Sequence, residues 1–200
     1  MKNITLSALA VVTLTSFGFA GGDIEAVPMV MEEGSTVSFY VGAGLSVVSA
    51  RGSDSSLNFF SGESGQDRLG NITLLAGYNL NEYIAVEGRY TTSIAYDDNI
   101  DMDGWSLFVK PQYPVSEAFS VYALLGYGGV NLFGVSGSSV IIDVDDTGFQ
   151  WGLGLSYDVT ENIEIFVDYT NLANDMDGIY RTSLTEADTD ALTVGLTYSF

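Results

Sequence analysis

The sequence contains no cysteine and no histidine, three prolines, and six Lys or Arg residues against 26 Asp or Glu. Without cysteine there is neither a disulfide framework nor a thiol to carry a lipid. Without histidine the commonest general base is missing, and no carboxylate pair stands in an evident pocket to replace it, so an enzyme is not expected. The formal charge of -20 would repel phosphates, which argues against a nucleic-acid partner. No phosphate-cradling glycine loop is present, since the glycines of 126–129 and 152–154 fall within strand patterns. No cofactor is implied. Beyond the N-terminal segment, no apolar run reaches the roughly 20 residues that a membrane-spanning helix needs.

What is abundant is glycine (23), tyrosine (12) and phenylalanine (11), within a chain that is 46% hydrophobic and only 16% charged. Glycine and aromatics with little proline suit many curved strands that end at an interface. The N-terminus follows a different pattern. Lys2 is followed by an apolar stretch from Ile4 to Leu14, then by small residues at Gly18 and Ala20. Residues 1–20 read as a secretory signal peptide cut after Ala20, and the stretch is too short for an anchor helix. Residues 21–36 read as a short, acidic periplasmic leader, and 37–200 as the folded domain.

From Ala191 to Phe200, Leu192, Val194, Leu196, Tyr198 and Phe200 alternate with small or polar residues. This period of two predicts a strand with one apolar face. The same pattern recurs along the chain, as in Val37–Val47, Ile72–Tyr78, Ile84–Tyr90, Trp105–Tyr113, Phe119–Tyr127, Phe149–Tyr157 and Ile163–Tyr169. Eight strands result, joined by connections that alternate long and short. The long loops are expected at 51–67, 96–103, 133–146 and 171–190. Gly128-Gly129 is expected to form a bulge that passes the outward face to Val130 and Leu132.

The three short turns share a repeat: Tyr78-x-Leu-x-Glu82, Tyr113-x-Val-x-Glu117 and Tyr157-x-Val-x-Glu161. Tyr78, Tyr113, Tyr157 and Tyr198 are therefore expected at one height. A membrane interface selects such a ring, because it is apolar in its body and wet at its hydroxyl. A soluble sandwich would charge its outer faces. Here the second face is Gly, Ser and Thr with scattered charges, which suits the crowded lumen of a small barrel. The apolar faces then turn to lipid, and closure satisfies every backbone group. Arg in place of Leu74, Leu155 or Leu196 is expected to cost roughly 2–4 kcal/mol at the bilayer midplane, and less at Thr73, Ser156 or Thr197.

On these features the chain resembles the small eight-stranded outer-membrane β-barrel family, which includes OmpA-type transmembrane domains and OmpX-like proteins. The resemblance rests on the signal peptide, the three Tyr-x-(Leu/Val)-x-Glu turns and the terminal Leu-Thr-Tyr-Ser-Phe. It implies an all-β, antiparallel up-and-down transmembrane barrel in the outer membrane of a Gram-negative bacterium, with both termini in the periplasm. It also implies that Tyr198 and Phe200 form a signal read by the barrel-assembly machinery. The peptidoglycan-binding domain of full OmpA-type proteins is not expected. Outer-membrane lipid and lipopolysaccharide are the implied surroundings.

Two constellations bear on function. The lumen-facing phase carries Glu87, Arg89, Lys110, Glu164 and Asp168. Barrel closure is expected to bring Glu164 or Asp168 across to Arg89 and Lys110, as a salt-bridge plug or as a narrow ion path. The long loops are acidic, and Asn99-x-Asp101-x-Asp103-Gly104 imitates the start of a calcium loop. Its twelfth position is Lys110 where a bidentate Glu is required. Asp101, Asp103, Asp175 and Asp177 are thus weak metal candidates, and solvated acidic turns are the plainer reading. A structural and surface-interaction role is the leading expectation, with a small low-conductance channel as the alternative.

Overall fold

The computed structural model describes residues 38–52, 55–60, 66–95, 100–134, 142–176, 178–180, 183–184 and 187–200. The expected signal peptide, the leader and Val37 lie outside them. The strands are β1 (Ser38–Gly52), β2 (Gln66–Asn81), β3 (Ile84–Ala95), β4 (Ile100–Pro114), β5 (Phe119–Gly134), β6 (Asp143–Asp158), β7 (Ile163–Met176), β8 (Gly178–Tyr180), β9 (Ser183–Leu184) and β10 (Ala187–Ser199). Eight long strands pair antiparallel with their sequence neighbours, and β1 pairs with β10 to close the barrel. The short strands β8 and β9 form a flap against the start of β6.

Phase follows the alternation. Leu45, Leu74, Leu107, Leu153, Val194 and Leu196 are exposed on the outer face, whereas their strand neighbours Ser46, Thr73, Phe108, Thr193 and Thr197 are buried. A sheet with lipid outside and packed side chains inside requires this, because successive Cβ atoms point to opposite faces. The second and third turns are built alike. In the second, Val115 N donates to Phe119 O at 2.8 Å and Phe119 N to Ser116 Oγ at 3.1 Å; in the third, Val159 N donates to Ile163 O at 2.8 Å and Ile163 N to Thr160 Oγ1 at 3.0 Å.

Two sequence expectations need correction. Gly128-Gly129 forms no bulge: the β4–β5 register runs unbroken through Ser106↔Gly128, Trp105↔Gly129 and Gly104↔Val130. Val130 and Leu132 accordingly keep the inward phase and are buried. Gly129 has the outward phase, where a Cβ would stand 2.9 Å from the Trp105 indole nitrogen. The long loops are also shorter than expected. β4 begins at Ile100, β6 at Asp143, and β7 runs to Met176. Alternation persists there because Met102, Val144 and Met176 have an apolar interior to fill.

Candidate functional site: the lumen

Toward the turn end, the inward side chains of β1, β3, β4, β5 and β7 meet in one hydrogen-bonded cluster. Arg89 Nε donates to Glu87 Oε1 at 2.6 Å, and its two terminal nitrogens hold Asp168 as a bidentate pair at 3.1 and 2.8 Å. The Tyr40 hydroxyl donates to Glu87 Oε2 at 2.6 Å, and the Tyr122 hydroxyl to Asp168 Oδ2 at 2.8 Å. Lys110 Nζ lies 3.7 Å from Glu87 Oε2 and 4.3 Å from the centre of the Tyr122 ring. The Arg89 guanidinium sits between the Phe108 and Phe166 rings, 5.7 Å from each centre. Two carboxylates and two cations are thus matched in a dry interior, which is the condition under which buried charge is tolerated.

Of the sequence-predicted lumen residues, the structure unites Glu87, Arg89, Lys110 and Asp168. Glu164 stands apart, half-buried beside Thr197 Oγ1 at 3.3 Å, in an acidic vestibule of about 500 Å³ at the turn end. Residues that sequence reasoning missed complete the cluster. Tyr40 and Tyr122 lie flat against the wall because their ladder partners are Gly77 and Gly154. A Cβ at either glycine would come within 2.1 to 2.2 Å of the tyrosine ring. An inward Tyr beside small residues was the available signal; the register that sets it over a glycine was not.

Beside this cluster lies a Ser/Thr lattice, with Ser46 bonded to Thr73 at 2.8 Å and Thr193 at 2.9 Å, and Thr73 to Thr91 at 2.8 Å. Toward the loop end the filling changes to apolar side chains, including Val48, Leu69, Ile100, Met102, Val130, Leu132, Val144, Leu172 and Met176. At its margin Arg51 pairs with Asp190 and with Asp188, the latter at 3.1 Å.

The outer surface carries two aromatic levels. Tyr78, Tyr113, Tyr157 and Tyr198 are exposed at the turn end. Phe200 joins them and closes the seam: its amide donates to Phe39 O at 3.0 Å, and its ring stacks on Phe39 with centres 5.9 Å apart. A second level, Tyr90, Trp105, Tyr127, Phe149 and Trp151, crosses β3 to β6. From Tyr157 to Phe149 the strand rises roughly 26 Å, or about 20 Å along a tilted barrel axis. That is comparable to the apolar band of about 25 Å between the aromatic girdles of outer-membrane barrels.

The family model for the outer membrane protein beta-barrel domain matches residues 12–200. The chain belongs to that family. Family membership places it in the Gram-negative outer membrane, and its strands span the bilayer. It is 30% identical over 177 residues to the virulence membrane protein PagC of Salmonella typhimurium, covering 84% of this chain and 89% of PagC. Its fold is similar to that of the attachment invasion locus protein Ail of Yersinia pestis, solved with the heparin analogue sucrose octasulfate. The TM-score is 0.54 at 18% identity, over 82% of this chain and 99% of Ail. Neisserial surface protein A shares the fold at a TM-score of 0.55 and 17% identity, over 81% and 97% of the two chains.

Among the described residues the metal candidates do not converge. Asp101 Oδ1 accepts the amide of Met102 at 2.9 Å, and Asp103 Oδ1 accepts Asn131 Nδ2 at 3.1 Å. Residues 100–104 form strand rather than a calcium loop. Asp175, at φ 54°, donates its amide to Asp188 Oδ1 at 3.0 Å, and Asp177 lies outside the described residues. Among the described residues, no three acidic side chains come together where an ion could be held.

Proposed function

We propose that the protein works as a sealed outer-membrane barrel that displays an acidic loop end to the exterior, without transporting solute and without catalysis. The single observation that carries this reading is the filled lumen: the Glu87–Arg89–Asp168 cluster with its two tyrosines, backed by the apolar layer. A cross-section occupied by matched charges and close-packed side chains leaves no continuous water column. The even number of long strands and the short turns put both chain ends and the Tyr-x-(Leu/Val)-x-Glu turns on the periplasmic side. The acidic ends of β4, β6 and β10 then face outside, among lipopolysaccharide and its counter-cations. PagC, a virulence membrane protein, supports a surface role of this kind. Tyr198 and Phe200 serve in this reading as the mark by which the assembly machinery takes up the chain.

Single-channel recording in a planar bilayer tests the reading, on refolded protein shown to be folded by heat-modifiable gel migration. The wild type is expected to give no discrete steps. Lys110→Ala is also expected to be silent, because the apolar layer still closes the path. Stable steps in the wild type, altered by Lys110→Ala, would establish the channel alternative.

A further inference from the structure

The barrel wall parts between β6 and β7. Their ladder runs from Asp158↔Glu164 to Trp151↔Asn171 and stops there. Beyond that rung β6 continues along β5, and β7 continues along β10 to Met176. The gap closes again where Asp143 and Val144 pair with β8. This leaves a window framed on all sides by strands. Its lower corner is fastened by Gln150 Nε2, which donates to the Leu172 carbonyl at 2.8 Å and replaces a rung.

A cavity of about 630 Å³ passes through this window. Its lipid-side rim is aromatic, formed by Phe149, Trp151 and Tyr169, with Trp151 and Tyr169 in edge contact at 5.6 Å between ring centres. Of its polar lining, Asp146 has the inward phase, whereas Arg51 and Asp190 stand on the outer face with Tyr169, whose hydroxyl donates to Asp190 Oδ1 at 2.5 Å. A Cβ at Gly148, which also lines the cavity, would meet nothing within 4 Å among the described residues, so there is open space at that point of the window.

Charge selects among ligands. Arg51 is answered by both Asp188 and Asp190. Asp146 accepts the Thr147 amide at 2.7 Å and pairs with no cation among the described residues. The rim is therefore net negative and disfavours an anionic head group. Aromatic faces at a desolvated gap favour an ammonium, and the window opens at the height of the second aromatic level, where apolar chains are at hand.

We propose that this window binds a cationic amphiphile, its ammonium head beside Asp146 and its chain along Phe149 and Trp151 in the lipid. The site does not depend on whether the lumen at the turn end is sealed.

The test uses the refolded protein in nanodiscs of neutral lipid, carrying Trp105→Phe so that Trp151 is the remaining tryptophan of the two. Trp151 emission is followed during titration with octyltrimethylammonium, octyl sulfate, octyl glucoside and tetramethylammonium. A saturable change is expected for octyltrimethylammonium, about tenfold tighter than for the other three probes. Asp146→Asn should weaken it by about fivefold, and Gly148→Phe, which fills the empty space, should abolish it. Asp146→Asn keeps the test open if Gly148→Phe does not fold. Equal responses to the three octyl compounds, or responses indifferent to Asp146→Asn, would overturn the proposal. Tetramethylammonium binding as tightly as its octyl counterpart would also overturn it, since the site would then take free amines.

Discussion

The two halves of the lumen are filled by opposite chemistry. Toward the turns, Glu87, Arg89, Lys110 and Asp168 are held by one another and by Tyr40 and Tyr122. Toward the loops, Val130, Leu132 and Met176 pack among apolar neighbours, and Met102 Sδ accepts Asn71 Nδ2 at 3.6 Å. A charge cluster is directional: each group fixes the position of the next, and loss of one member strands another. An apolar layer is tolerant of exchange but sensitive to lost volume. The first half therefore specifies how the strands align, and the second supplies bulk that keeps the longer strand ends together.

Breaking the cluster should give the largest effect. Asp168→Ala leaves Arg89 buried with Glu87 as its sole carboxylate partner and should cost about 3–5 kcal/mol, read by urea unfolding in detergent. Truncating the apolar layer at Leu132→Ala should cost about 2–5 kcal/mol, set by how far the cavity collapses. If Leu132→Ala proves the costlier, the loop-end half governs stability and the comparison is reversed.

On the lipid side, Leu155→Arg or Leu196→Arg should cost roughly 2–4 kcal/mol, falling toward the interfaces. The milder effect expected for Arg at Thr73 does not survive the structure. Thr73 is locked between Ser46 and Thr91 at 2.8 Å each, in space that a guanidinium cannot share. A measurement confined to charge should instead compare Leu74→Lys with Gln112→Lys, the latter lining the turn-end vestibule, where the cost should be well under 1 kcal/mol, as at an exposed site. Below the lipid-side substitutions, Ser46→Ala, which removes the bridge between Thr73 and Thr193, should cost about 1 kcal/mol.

The halves also differed in how far the sequence revealed them. Inward charges announce themselves by phase: Glu87 and Arg89 fall between Val86, Gly88 and Tyr90, and strand alternation alone puts them inside. Which carboxylate crosses the barrel was not legible, since Glu164 and Asp168 share a phase and the β3–β7 distance depends on closure. Asp168 reaches Arg89; Glu164, one turn-ward step of four residues away, faces the vestibule instead. The apolar layer was missed because its residues lie in stretches rich in Asp and Ser that read as loops. Met102 stands between Asp101 and Asp103, and Val144 between Asp143 and Asp145, so acid marks the outer face of a continuing strand. The alternation was present but inverted, with the apolar residues inward. The parting of β6 from β7 has no counterpart in the sequence, because neither strand loses its period there.

In the proposed reading the lumen carries two seals in series. Its most direct test is single-channel recording from three folded variants: Tyr122→Ala with Lys110→Ala to open the cluster, Met102→Ala with Leu132→Ala to open the apolar layer, and all four changes together. Silence from each pair and discrete steps from the combined variant are the predicted result. Steps from either pair alone would contradict it, by showing that one layer carries the whole closure.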